Sequence, residues 1–217
     1  MKSITIIGTG EGISKGVALK FGSEGFHINL ISRTESKLKK IAGDLKNEGI
    51  PADFETADAS DQASLTGALQ KLGKRNGHAQ MILFNAAALD VKDFLDQDWQ
   101  TFQRTLDTTV GGAFHLLKTV LPFCIENNTG KLFFTGGGLA LSGHPSWTTL
   151  SVGKAALRNL IQSAQTVVAD TNVHIAQVTV TGFVSPDNDK HNPTNIADQY
   201  WKLFNQKQDE FEKEIIF

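Results

Sequence analysis

A single cysteine, Cys124, in 217 residues rules out an intrachain disulfide. It falls in an apolar helical stretch, where a thiol is more often a small buried hydrophobe than a reactive group. A reducing, cytoplasmic setting is the expectation that follows. An excess of one charge is also lacking. Twenty-one Lys and Arg against 23 Asp and Glu leave a net charge of −2, so nothing points to nucleic acid or to an acidic membrane surface. Purely apolar runs extend only a few residues, which predicts no bilayer-spanning segment. The opening stretch MKSITIIGTGEGIS has neither the long apolar core nor the small-residue cleavage site of a secretory signal, and reads as strand and turn. The six histidines are scattered without ligand spacing, so no metal site is expected. No repeat, low-complexity tract or linker divides the chain. Its length suits one covered α/β domain spanning 1–217.

What is present is a strand followed by a helix, repeated. Apolar, β-branched runs at 3–8, 27–32, 80–87, 131–137 and 173–182 read as strands, and 52–58 alternates like one. Helical spacing covers 12–25, 36–48, 61–75, 149–170 and a short piece at 194–206. A longer helical pattern runs over 98–126, with Gly111 and Gly112 interrupting it and Pro122 near its end. KEIIF at the C-terminus reads as a last strand, and 186–195 as a loose polar loop. Strands apolar on both faces and separated by helices imply a parallel sheet covered on both sides. With right-handed crossovers this is an α/β, doubly wound parallel sheet (a Rossmann fold) of about seven strands, which binds ligands at the carboxyl ends of the strands.

The first strand runs into Gly8-Thr9-Gly10-Glu11-Gly12-Ile13-Ser14, where a helix opens. Glycines permit a tight turn and close approach to a pyrophosphate, whose charge the helix N-terminus stabilises. Directly after a first strand this pattern points to dinucleotide binding. At the end of the second strand an acidic residue would accept a bond from a ribose hydroxyl, and a basic one would pair with a 2′-phosphate. Ser32-Arg33 stands there. The planar guanidinium favours NADP(H) over NAD(H), whereas the nearby Glu11 carboxylate argues the other way.

The glycine segment resembles the TGxxxGxG motif of the short-chain dehydrogenase/reductase superfamily. Gly8 and Gly12 match its first two glycines, and Ser14 replaces the third. The likeness extends over nearly the whole chain. Asp58 matches the acidic residue that contacts the adenine, and Asn85-Ala86-Ala87 resembles the NAG motif. Thr181-Gly182 stands where the family has PG. The resemblance thus implies a cofactor site of Gly8, Gly12, Ile13, Ser14, Arg33, Asp58, Asn85 and Ala86, with Lys154, Gly182 and Val184 at its far end.

The family's catalytic groups are a different matter. Its YxxxK motif sets Tyr and Lys one helical turn apart, on one face. Leu150-Ser151-Val152-Gly153-Lys154 keeps Lys154 but has Leu150 at the tyrosine position. Thirteen residues earlier, where the family has Ser, stands Gly137. The supporting Asn of the preceding helix becomes Thr109. The only tyrosine, Tyr200, lies far along the chain. His144, in the loop before the Leu150 helix, is an alternative proton donor by its titration range. Thr135 and Thr109 carry hydroxyls near the site but are poor acids. Ser185 is a candidate substitute for the family's carboxamide-gripping threonine, whose position is Pro186. The segment from Phe183 to Pro193 is a short lid.

Three readings stay open. One is an NADP(H)-dependent oxidoreductase of a small carbonyl compound or alcohol, with a non-standard proton donor and an unidentified substrate. The second is a catalytically silent dinucleotide-binding sensor or partner subunit. The third is a structural descendant that binds nothing. The resemblance further implies a homodimer or homotetramer through the helices around 98–126 and 149–170.

Overall fold

A computed structural model describes residues 2–217. Seven strands form one sheet: β1 (Ser3–Ile7), β2 (His27–Ser32), β3 (Ala52–Thr56), β4 (Met81–Phe84), β5 (Gly130–Gly137), β6 (Val173–Val180) and β7 (Glu214–Ile216). Their order is β3-β2-β1-β4-β5-β6-β7, and every pairing is parallel. The winding reverses between β1 and β4, where a doubly wound sheet opens a crevice at its carboxyl edge.

Between the strands run α1 (Ile13–Ser23), α2 (Glu35–Asn47), α3 (Gln62–Asn76), α4 (Trp99–Leu106), α5 (Gly112–Glu126), α6 (Thr148–Val167) and α7 (Pro193–Phe204). Val17 and Phe21 of α1, Leu38 and Ile41 of α2, and Ile196 and Leu203 of α7 cover one face of the sheet. Leu65 and Leu72 of α3, Leu116 of α5, and Leu157 and Ile161 of α6 cover the other. Successive strand residues point to opposite faces, so Ile6 serves the first core and Ile7 the second. Phe21 meets Phe26, Trp201 and Phe204 edge-on, with ring centroids 5.1–5.5 Å apart.

Two expectations need correction. The stretch 98–126 is not broken at its glycines. A π-helical turn, Asp107–Gly111, joins α4 to α5, so the helix is continuous from Trp99 to Glu126. Gly112 is there for packing: a Cβ would lie 3.0 Å from the Ala59 carbonyl oxygen and the Phe84 ring. Pro122 sits inside α5, where it removes one helical hydrogen bond without ending the helix. At 28 residues this helix is long and apolar enough, by length and composition, to cross a membrane, which the short apolar runs did not suggest. Here it lies on the sheet, burying Ala113, Leu116, Leu117 and Cys124. Burial pushes the Cys124 thiol pKa up, as an inert core cysteine requires.

The segment 186–195 is a loop, but not a loose one. Asn188 Oδ1 accepts from the N–H groups of Lys190 and His191 at 3.0 and 2.7 Å. Asn192 caps α7 through Asn195 N at 2.9 Å. Asparagine side chains here replace the backbone pairing that a loop lacks.

The edge strand β7 is pinned by Glu214. Its carboxylate accepts from Arg158 Nε at 3.0 Å, Arg158 Nη2 at 2.7 Å, Thr179 Oγ1 at 2.6 Å and Gln177 Nε2 at 3.1 Å. Burial opposes ionisation, but these donors together hold the carboxyl below its ordinary range. The stabilisation is present above the unfolded pKa and is lost as pH falls through the folded one. Removing the guanidinium with Arg158→Met should cost about 1–3 kcal/mol in urea unfolding. On acidification below about pH 4.5, the wild-type melting temperature should fall more steeply than that of Glu214→Gln.

Candidate functional site

At the carboxyl edge, between β1 and β4, lies a cleft of about 1090 Å³. It exceeds the roughly 300–1000 Å³ that ordinarily encloses a small ligand. Its floor is built by one tight turn. Gly8 has φ of +84°, and a Cβ on it would lie 2.3 Å from Ala86 N. Only glycine satisfies both conditions. The N–H groups of Gly8 and Thr9 donate to Ile31 O at 2.9 and 3.1 Å. Ser14 is buried, and its Oγ donates to Gly8 O at 2.9 Å while accepting from Asn85 Nδ2 at 2.8 Å. Ser14 therefore fits where the motif has glycine, and its hydroxyl ties the helix to the turn. The Asn85 amide is spent inside the protein on the same knot.

Helix α1 then begins at Ile13 with no side-chain cap on Gly12 and no acidic residue in its first turn. Its first N–H groups have no intrahelical partners. A Cβ on Gly10 or Gly12 would meet nothing within 4 Å. A glycine cradle open to the cleft, at the positive end of a helix, is suited to a phosphate. Glu11 does not compete for that space. It is absent from the cleft wall, drawn aside by Lys15 at 2.9 Å and Lys40 at 2.6 Å. Hydrogen bonds from Lys40 and Lys15 hold its carboxyl below the ordinary range.

At the β2 end the wall carries Ser32, Arg33, Thr34 and Lys37. Lys37, in the first turn of α2, is a second cation that the sequence reading passed over. Its spacing four residues after Arg33 was the available signal. Asp58 faces them. Burial raises its pKa, but bonds from Ser60 Oγ at 2.7 Å and Ser60 N at 3.0 Å, with the Arg33 charge, hold the carboxyl low.

At the other end the wall includes Gly137, His144, Leu150, Lys154, Gly182 and Val184. Lys154 is 7% exposed, and its Nζ donates to Thr135 O at 2.6 Å. Burial alone brings its ammonium down to about 8. Leu150 lies one turn earlier on the same wall. A Cβ on Gly137 would sit 3.7 Å from Lys154 Cγ, an ordinary contact, so nothing steric requires glycine there. His144 is exposed at the rim. Its Nδ1 accepts from Ser146 N at 3.2 Å, which leaves the proton of the neutral ring on Nε2. Ser151 points away, accepting from His144 N at 3.2 Å and donating to Trp147 O at 2.9 Å.

Several expected positions fall outside this wall. Thr109 is fully buried against Gly153, with no partner for its hydroxyl. Its neighbour Thr108 lines the cleft instead; both threonines lie in the π turn. Ser185 also lies off the wall and accepts from Asp187 N at 3.3 Å. Tyr200 is buried among the α7 core residues, its hydroxyl 2.7 Å from Thr135 Oγ1, and burial pushes its phenol above the ordinary range. Apolar side chains surround the mouth: Leu89, Leu139, Leu141, Trp147 and Phe183. Trp147 and Ser142 come from the loop after β5, which carries no motif that would have announced them.

The sequence model for "short chain dehydrogenase" matches residues 2–196. A sepiapterin reductase from Chlorobaculum tepidum is 27% identical over 194 residues, covering 86% of this chain and 80% of that one. A short-chain dehydrogenase from Rhodopseudomonas palustris has the same fold, with a TM-score of 0.87 at 22% identity over 99% of this chain and 96% of that one. An alcohol dehydrogenase from the archaeon Thermococcus sibiricus, solved with 5-hydroxy-NADP, has a TM-score of 0.88 at 20% identity over 100% of this chain and 96% of that one.

The two glycines should respond differently to substitution. Gly8→Ala should destabilise the fold by about 3 kcal/mol, through the backbone clash and the strained φ. Gly137→Ser should stay within about 0.5 kcal/mol of wild type. Parallel urea titrations check both.

Proposed function

The chain belongs to the short-chain dehydrogenase family, and on that premise we propose that it binds NADP(H) in preference to NAD(H) and interconverts a small carbonyl compound and its alcohol without a tyrosine donor. The observation that carries this reading is the continuous cleft. It joins an uncapped helix N-terminus and open glycine cradle to a pair of cations, Arg33 and Lys37, at one end and a buried Lys154 at the other. The N–H groups at the start of α1 hold the pyrophosphate, and Asp58 meets the adenine. Arg33 and Lys37 hold the 2′-phosphate. With Glu11 neutralised by two lysines, the objection it raised to a phosphate loses its force. The Thermococcus relative of the same fold carries an NADP derivative. Ala86, Gly182 and Val184 border the nicotinamide, and Lys154 its ribose. Bound NADPH supplies the hydride.

A catalytically silent binding protein is the second reading. Leu150, Gly137 and the sequestered Thr109 favour it, because they deprive the wall of the family's hydroxyl groups. We place the protein in the cytoplasm, where its lone buried thiol stays reduced. We place a homodimer or homotetramer contact on α5 and α6, where Phe114 and Val152 are exposed.

Trp147 on the cleft wall provides a fluorescence signal for titration with NADPH and NADH. NADPH should bind at least about tenfold more tightly, and the double change Arg33→Ala, Lys37→Ala should weaken it about 10- to 100-fold while leaving NADH unchanged. Binding of neither cofactor would refute the proposal. Oxidation of NADPH with any aldehyde, ketone or quinone of a broad panel separates the catalytic reading from the silent one.

A further inference from the structure

Resting on the oxidoreductase reading above, we propose that Lys154 is the proton donor of this site, its Nζ protonating the substrate oxygen directly. The wall offers few proton-bearing groups. Arg33 and Lys37 lie at the opposite end. The Thr135 hydroxyl is engaged with Tyr200 at 2.7 Å. Leu150 has no proton to give. The Thr181 hydroxyl is bound to Phe217 O at 2.8 Å, and the aliphatic hydroxyls of Thr108 and Ser142 on the wall are far weaker acids than an ammonium. That leaves Lys154, within the wall, and His144, exposed at the rim with Nδ1 already committed to Ser146 N.

The surroundings of Lys154 suit the task. Among the described residues its only hydrogen bond is to Thr135 O at 2.6 Å, and an ammonium has three N–H groups to place. No carboxylate among the described residues pairs with it. A buried charge without an ionic partner is costly, so an unpaired cation on a ligand cleft is a candidate for chemistry. Gly137 places no side chain against the lysine stem, where a Cβ would lie 3.7–4.0 Å from Cγ, Cδ and Cε. Gly137, Leu150 and Lys154 all line the cleft, so a ligand there lies against the lysine with only small or apolar groups beside it.

The step balances. The hydride comes from bound NADPH, which is oxidised as the carbonyl carbon is reduced. One Nζ–H bond breaks as the new O–H bond forms. The neutral amine keeps its bond to Thr135 O and recovers a proton from water in the open cleft. Burial brings the ammonium down to about 8, close to the working range that favours general acid catalysis. Charged groups on the packed elements include Arg158 on α6, bound to Glu214, Arg104 and Asp107 on α4 and the π turn, and Lys118 on α5. Lys131 on β5, His174 on β6, His115 on α5 and His144 on the rim are further titratable groups of the packed elements. None of them contributes to the shift, whose sole cause is burial.

Two measurements test this. The first uses cofactor-free protein: trace acetic anhydride labelling between about pH 6 and 11, with acetylation at Lys154 followed by mass spectrometry. The labelling midpoint should fall near 8, against about 10.4 for an unperturbed lysine side chain. An ordinary midpoint, or no labelling at Lys154, overturns the proposal. The second follows NADPH oxidation with 4-nitrobenzaldehyde and 9,10-phenanthrenequinone. Turnover should fall as pH rises through about 8. Lys154→Arg keeps a cation for the ribose but cannot titrate in that range. It should still bind NADPH by Trp fluorescence, lose at least about 100-fold in turnover and lack the alkaline limb. His144→Ala should keep the limb. Retained rate and limb in Lys154→Arg, or loss of the limb in His144→Ala, overturns the assignment. A Lys154 midpoint near 8 without NADPH binding rejects the oxidoreductase reading and the donor role with it. NADPH binding with an ordinary midpoint rejects the donor role alone, and bound NADPH without any turnover rejects catalysis while leaving binding intact.

Discussion

The molecule is organised around one backbone contact: Gly8 at the end of β1 against Ala86 just after β4. These strands are neighbours at the point where the sheet's winding reverses. A side chain at Gly8 would place a carbon 2.3 Å from Ala86 N, so the approach exists only because the residue is glycine. Asn85 and Ser14 lock it through bonds of 2.8 and 2.9 Å. The orientation of α1, the exposure of its first N–H groups and the depth of the cleft all follow from this knot. A turn that opened by one side chain would carry the helix N-terminus away from any ligand lying across the strand ends.

The two ends of the cleft rest on different physics. At the β2 end the protein concentrates cations at the surface, where they remain solvated and cost little to maintain. At the β5–α6 end it buries one ammonium against a single main-chain carbonyl, with apolar residues around the mouth. A surface cation works by attraction over distance. A buried one is made less willing to keep its proton, because the low-dielectric surroundings penalise charge. The first arrangement suits holding a phosphate, and the second suits giving up a proton.

The far side of the cleft depends on the C-terminal edge. Phe217 O accepts from Thr181 N at 2.7 Å and from Thr181 Oγ1 at 2.8 Å. Gly182 lies so close to the His191 ring that a Cβ would fall 2.1 Å from Nδ1. The asparagine-knit segment before α7 is therefore seated directly against the residues that complete the cleft wall. With Glu214 anchoring β7 to α6 and β6, the short lid becomes a fixed border of the site.

Much of this was legible in the sequence, and the exceptions share a cause. Seven strands, their alternation with helices and the glycine turn are local signals: each depends on side-chain periodicity or on a few adjacent residues. That position 150 is leucine, in a chain with one tyrosine, was equally plain. The π turn was not legible, because a hydrogen-bond register of this kind leaves no periodic signal in residue type, and with it went the placement of Thr108, rather than Thr109, on the wall. The neutralisation of Glu11 was hidden because Lys40 is remote from it in the chain. The burial of Lys154, which changes its chemistry, depends on β5 and α6 closing over it. The sequence by itself determined the fold, the glycine turn and the leucine at position 150, because those are written in residue type and spacing. Only the tertiary structure decided which charges are neutralised, which hydroxyls reach the cleft and how acidic its lysine is, because electrostatic energies and burial depend on distances between residues far apart in the chain.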